Sequence, residues 1–319
     1  MTDDRVTLSD IEQAARRIAT VARSTPLERP LWLANESGRQ AWLKLECFQL
    51  TGSFKLRGAM ARLSAMTEAE KARGVLTVSA GNHGLAVAHC AGLLGVEATI
   101  VVPRTASRAK VDAIARYPVT LVELGDGYDE AERAAREMER ETGKLFVSPY
   151  NDPYVIAGQG TVGLEIIKDE PRLEAVLVPV GGGGLLAGVA VAVKALMPHV
   201  EVYGVEPSAS PTLLRSLEAG RVVEIEEEET IADGLAGNIE PGSITFPIIQ
   251  HLVDGVVLVS EEAIRGGIIR MAREEHVMIE GAAAAALAAL DEERFKDYRV
   301  AAVVTGRNIT LDLFKSILI

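Results

Sequence analysis

The sequence predicts an α/β fold: two domains, built on mostly parallel sheets covered by helices. Three observations point there. Apolar runs of strand length recur along the chain, each leads into a longer helical stretch, and the runs are apolar throughout rather than alternating with polar residues. A strand of that kind must be covered on both faces, as strands of a parallel sheet between helix layers are. In order, "GVLTVSA" (74–80) precedes the helix-like "NHGLAVAHCAGLLG" (82–95), and "EATIVVP" (97–103) precedes "SRAKVDAIARY" (107–117). "VTLVEL" (119–124) leads into "YDEAERAAREMERETG" (128–143), "EAVLVPV" (174–180) into "GLLAGVAVAVKALM" (184–197), and "EVYGVEP" (201–207) into a further helical stretch. The strands fall into two groups. Residues 68–151 are expected to form a small domain, and residues 1–67 with 152–319 a large one, with no Pro/Gly/Ser linker between them. There is no internal repeat, and the acidic run "EIEEEET" (224–230) reads as a solvated loop.

Composition narrows the partners. The chain has 319 residues, 48% hydrophobic and 24% charged, enough to bury a proper core. Its formal net charge of -12 argues against nucleic acid and against an anionic membrane, because a phosphate-rich partner needs a basic face. Cys47 and Cys90 stand in dissimilar contexts with no CxxC or His/Cys cluster, so no metal is expected from them. The start "MTDDRVTLSD" is polar, without an apolar signal segment, and "GAAAAALAAL" (281–290) falls short of the roughly 20 residues that span a bilayer. The expected compartment is the cytoplasm.

In open parallel sheets, ligands bind where strands end and loops begin. Three such loops stand out: "SAGNHG" (79–84), "GGGGL" (181–185) and "TGRN" (305–308). Gly181, Gly182, Gly183 and Gly184 have no Cβ and precede a helix, so they can turn successive amides towards one anion. A tight turn without a ligand is the alternative. The spacing matches neither GxGxxG nor GxxxxGK[ST], which disfavours dinucleotide and ATP. Ser79 or Asn82 could simply cap a helix, and His83 could be a core histidine. Lys55, in "TGSFKLRGA" (51–59), sits beside Phe54 at a helix start. It either snorkels to water or offers a reactive amine. A reactive lysine, an amide-lined phosphate site and small polar groups at strand ends together describe a pocket for pyridoxal 5'-phosphate (PLP).

The order of "SFKLRGA", "SAGNH", "AGQGT" (157–161), "GGGGL", "GVEP" (204–207) and "ADG" (232–234) resembles the fold-type II PLP enzymes, whose fold is like that of tryptophan synthase β. The resemblance is greatest to the serine/threonine dehydratase (threonine ammonia-lyase) branch, and it runs from about residue 8 to the end of the chain. It implies that Lys55 is the Schiff-base lysine and the acid/base at the substrate α-carbon, with Phe54 packed near one face of the ring. Asn82 would hydrogen-bond the ring hydroxyl, and Ser79, Ala80, Gly81, Asn82 and His83 would bind the substrate carboxylate. Gly181 to Gly184 with Leu185 would hold the phosphate, and Thr305 would face the pyridine nitrogen. A neutral hydroxyl there makes the ring a weaker electron sink than an aspartate would, which suits elimination.

The implied reaction is dehydration and deamination of L-threonine or L-serine to 2-oxobutyrate or pyruvate plus ammonia, in a homodimer or homotetramer with a small amino acid as substrate. The alternatives are a serine racemase and a dehydratase of another 3-hydroxy amino acid, such as 3-hydroxyaspartate. Serine racemases carry a serine at the position of Ala80, and a methyl group cannot move a proton. Cysteine and threonine synthases are less similar, since their lysine motif continues differently from Leu56–Arg57. Three departures stand out. Arg307 replaces a glycine of the family pattern and would bring a cation near the cofactor. Glu206 has Thr212 where metal-binding relatives have an acid, so no metal is expected. The chain stops at Ile319 without a regulatory domain, so feedback by isoleucine is not expected.

Overall fold

The computed structural model describes residues 6–33, 40–226 and 228–319; the first residues of the polar start and Glu227 of the acidic run lie outside the described residues. Two sheets organise the chain. With strands numbered in chain order, the larger sheet runs β1 (Leu27–Glu28), β2 (Gln40–Lys44), β10 (Arg299–Val303), β7 (Ala175–Pro179), β8 (Glu201–Pro207), β9 (Gly255–Val259). Its pairings are parallel except for β1 on β2. The smaller sheet runs β5 (Thr120–Glu123), β4 (Ala98–Val102), β3 (Val75–Val78), β6 (Leu145–Phe146), parallel throughout.

Burial follows the apolar pattern that predicted it. Every residue of β3, β4 and β7 is buried, as a strand between two helix layers must be. "VTLVEL" departs from that expectation: β5 is an edge strand whose Thr120 and Glu123 are exposed. β2 and β6 are mixed or short runs that only pairing with neighbours defines as strands, whereas the apolar GVVLV of β9 has strand character of its own. Among the described residues no helix is long and apolar enough to cross a membrane. Glu224, Glu226, Glu228 and Glu229 are exposed, as a solvated loop requires.

Small residues bring the central helices into backbone contact, and this explains "AGQGT". Asp152 caps the Pro153–Asp169 helix by accepting from the amides of Tyr154 at 2.8 Å and Val155 at 3.0 Å. A Cβ on Gly158 would lie 2.6 Å from the Arg57 carbonyl of the Lys55–Ser64 helix. A Cβ on Gly160 would lie 2.8 Å from the Gly188 carbonyl of the Gly184–Leu196 helix. The three helices therefore stack as one block, with Lys55 at the start of one and the tetraglycine turn at the start of another. Leu56, Ala86, Val162 and Leu186 join a core that reaches Ile100 of the smaller sheet and Val178 of the larger.

Candidate active site

The lysine loop is pinned before it turns into its helix. Ser53 bridges Gly306, the Phe54 amide donates to the Thr305 carbonyl at 3.1 Å, and the Arg307 amide to the Gly52 carbonyl at 2.9 Å. Gly52 holds φ +77°, the left-handed region that favours glycine, so the chain can double back there. This leaves Lys55 as the first helical residue. Its Nζ lies 5.1 Å from the Phe54 ring centroid and donates to the Pro149 carbonyl at 2.9 Å. Burial pushes the amine down to about 8, against the opposing pull of the Glu280 charge. Lys55 is thus a buried amine that gives up its proton more readily than an exposed lysine, not a snorkelling surface charge.

The loop after β3 supplies the second wall. The Ser79 hydroxyl accepts from the Gly81 amide at 3.1 Å, and Asn82 opens the Asn82–Leu94 helix. His83 is buried, with Nε2 at 3.0 Å from the Val147 carbonyl. Because a carbonyl only accepts, Nε2 carries the hydrogen. Burial, reinforced by the Lys55 charge, holds His83 down to about 3, so it is neutral and brings no positive charge to the loop.

The third wall is the turn after β7. Gly183 adopts φ +88° and the helix begins at Gly184, so its first amides have no carbonyl partner within the helix. A Cβ on Gly182 would lie 2.3 Å from the Tyr150 ring. The bare backbone is therefore required by a close approach, not only by the turn. Thr305 follows β10; its Oγ1 is buried with no hydrogen-bond partner among the described residues.

One cavity of about 1350 Å³ receives all these residues. Phe54 and Lys55, then Ser79, Ala80, Gly81, Asn82 and His83, then Gly181 to Gly184 with Leu185, and Thr305 each line it. The carboxyl ends of β3, β7 and β10 supply three of these four stretches of chain, where ligand sites in such sheets form, and the lysine loop supplies the fourth.

Sequence reasoning missed Glu280 and overlooked Asn308. Asn82 Nδ2 donates to Glu280 Oε1 at 2.7 Å, the Asn308 amide donates to Oε2 at 3.2 Å, and Asn308 Nδ2 donates to Asn82 Oδ1 at 2.6 Å. The signal was a lone acid ending "VMIE" just before an alanine-rich helix, in a run that otherwise reads only as apolar. Tyr150 also lines the cavity, and Lys110 reaches across its mouth to Asp233.

The structure moves two other residues away from the site. Arg307 was expected to bring a cation near the cofactor; instead it is exposed, with its guanidinium 5.9 Å from the Phe48 ring centroid, and it does not line the cavity. Its carbonyl and amide are tied into the loop, which turns the side chain outwards. Glu206 spends both carboxylate oxygens on the amides of Leu213 at 2.7 Å and Leu214 at 3.0 Å, at the start of the Thr212–Ala219 helix.

The chain is similar to known proteins over nearly its whole length. The family model described as pyridoxal-phosphate dependent enzyme matches residues 18–306. The chain is 42% identical to an L-threonine ammonia-lyase of Thermotoga maritima over 314 residues, which is 98% of this chain and 78% of that one. It is 38% identical to the catabolic L-threonine dehydratase TdcB of Escherichia coli K12 over 310 residues, 96% of this chain and 94% of that one. Among solved structures, maize serine racemase superposes with a TM-score of 0.93 at 33% identity, covering 98% of this chain and 97% of the other.

Proposed function

The chain belongs to the pyridoxal-phosphate-dependent enzyme family, and from that premise we propose that it is a threonine ammonia-lyase. It would convert L-threonine to 2-oxobutyrate and ammonia, and L-serine to pyruvate and ammonia. One observation carries the reading: the Lys55 amine and the Gly181–Gly184 turn open on a single cavity.

The residues present fit the cofactor. A buried lysine amine that loses its proton readily lines the cavity, a bare-backbone turn at a helix N-terminus offers amides for a phosphate, and the Thr305 hydroxyl, without a partner among the described residues, can donate to a ring nitrogen. Bound there, PLP supplies an electron sink for the charge left when a bond at the amino-acid α-carbon breaks. The chain's own groups do the rest. Lys55 Nζ, neutral above about pH 8, takes the proton from the α-carbon. The Ser79–His83 loop binds the substrate carboxylate through its backbone amides and the Ser79 hydroxyl, and the neutral His83 holds that loop to the Val147 carbonyl. The β-hydroxyl would depart with a proton as water, and the enamine left would take up water to give the 2-oxo acid and ammonia.

A second reading, serine racemase, is favoured by the similarity to the maize protein. Racemisation needs a proton delivered to the opposite face of the α-carbon, and the loop offers the methyl of Ala80 at the position that racemases fill with a hydroxyl. Dehydration of an acidic substrate such as 3-hydroxyaspartate would draw on a cation at the cofactor, and Arg307 does not supply it, because it lies outside the cavity. We further propose a cytoplasmic enzyme that works as a homodimer or homotetramer. In it, residues 1–67 with 152–319 form the large domain and 68–151 the small one.

The test is incubation of the PLP-loaded protein with L-threonine and L-serine, assaying 2-oxo acid, ammonia and the enantiomer of remaining substrate. Stoichiometric 2-oxobutyrate and ammonia are expected. Accumulation of D-serine without pyruvate would sink the lyase reading.

A further inference from the structure

We propose that Glu280 is a positioning residue for this reaction: its carboxylate fixes the Asn82 amide over the cavity and places a negative charge towards Lys55. The inference rests on the function proposed above.

Glu280 occupies the N-cap position of the Gly281–Ala289 helix, yet its side chain makes no capping bond to that helix. The usual structural use of a polar residue there is therefore not what the carboxylate serves. It reaches instead to the Asn82 side chain at 2.7 Å and the Asn308 amide at 3.2 Å. Asn308 in turn donates to the Asn82 oxygen at 2.6 Å. Both ends of the Asn82 amide are thus held, and its nitrogen is assigned by an acceptor that cannot donate when ionised. The surrounding backbone makes room for this acid. A Cβ on Gly306 would lie 2.3 Å from Glu280 Oε1, while the Glu280 amide donates to the Gly306 carbonyl at 3.2 Å.

A carboxyl only 8% exposed is costly to keep charged, and burial pushes it up to about 7. Groups from several segments act on it. Asp233 raises it further, whereas Asn82, Lys110 and the Asn308 amide act to lower it, and Lys55 feels its charge from the lysine helix. A carboxylate serving only to fill space would be replaceable by its amide; one that sets the charge around Lys55 would not.

The experiment compares PLP-loaded wild type, Glu280→Gln and Glu280→Ala. It reads the pH midpoint of the visible cofactor band, PLP affinity by fluorescence, and kcat/KM for L-threonine. Removing the negative charge disfavours a protonated nitrogen nearby, so the midpoint in Glu280→Gln shifts to lower pH. kcat/KM falls roughly 10- to 100-fold, as expected for loss of a charge-assisted hydrogen bond. Glu280→Ala loses PLP affinity as well; if that variant does not fold, the isosteric Gln variant decides. An unchanged midpoint with kcat/KM within about twofold in Glu280→Gln, judged against the tenfold loss expected, overturns the proposal while leaving the lyase reading intact. A wild-type protein that shows no band with excess PLP overturns both.

Discussion

Arg57 and Glu46 form a bidentate ion pair, Nε to Oε2 and Nη2 to Oε1 both at 2.8 Å, with side chains 1% and 0% exposed. Arg57 lies two residues beyond Lys55, and the pair ties the lysine helix to the segment leaving β2. Glu165 adds a second carboxylate at 2.7 Å from Arg57 Nη1, and the buried Lys44 binds Glu165 at 2.6 Å. Four charges thus share one interior network.

Replacing Arg57 with Met therefore leaves Glu46 buried and unpaired, which costs about 3–5 kcal/mol. Urea denaturation of Arg57→Met should show a correspondingly lower midpoint. A loss below about 1 kcal/mol, the scale of an exposed pair, would mean that water reaches the network.

Lys55 should capture PLP with an unusual pH profile. Burial holds the amine to about 8, so half of it is neutral and reactive there; that fraction falls steeply below this value and approaches completion well above it. Stopped-flow loading of cofactor-stripped protein should rise with pH and level off above about 8. A rate still climbing beyond pH 10, as for an exposed lysine near 10.4, would contradict the burial argument. Lys55→Ala should show neither visible band nor turnover.

Gly182 is constrained by contact. Its added Cβ would fall 2.3 Å from Cδ1 and 2.4 Å from Cγ of Tyr150, so Gly182→Ala must push the ring or the turn aside. The expected result is a folded protein by circular dichroism whose PLP affinity has dropped at least about tenfold, a loss of roughly 1.4 kcal/mol. Unchanged affinity by fluorescence titration would remove this turn from the phosphate site.

Glu206 links stability to pH. Burial raises it to about 7 despite two amide donors, so its folded value lies above the unfolded one near 4.5. A raised value stabilises the fold below pH 4.5, and that contribution is lost as pH rises through 7. Glu206→Gln removes this titration. Its unfolding free energy should fall less than that of wild type between pH 4.5 and 7, measured by urea melts at several pH values. Identical slopes would show that Glu206 is ionised throughout.

The sequence by itself determined the fold class and named many of the residues that line the candidate cavity. Strands apolar throughout leave no choice but burial on both faces. Four glycines ahead of a helix, and a lysine between an aromatic ring and a helix start, announce chemistry because each is costly as filler. It could not determine direction or long-range neighbours. Asn82 and Asn308 are 226 residues apart and meet only because the smaller and larger sheets both direct strand ends into one cavity. Glu280 reads as the end of an apolar run until Gly306 is seen making room for it. Arg307 looked like a site residue from its place in "TGRN"; the backbone bond from its amide to Gly52 turns its side chain to solvent. Residue type and local spacing belong to the sequence, whereas which groups share one low-dielectric space is decided by tertiary packing, and that sharing sets their charge states.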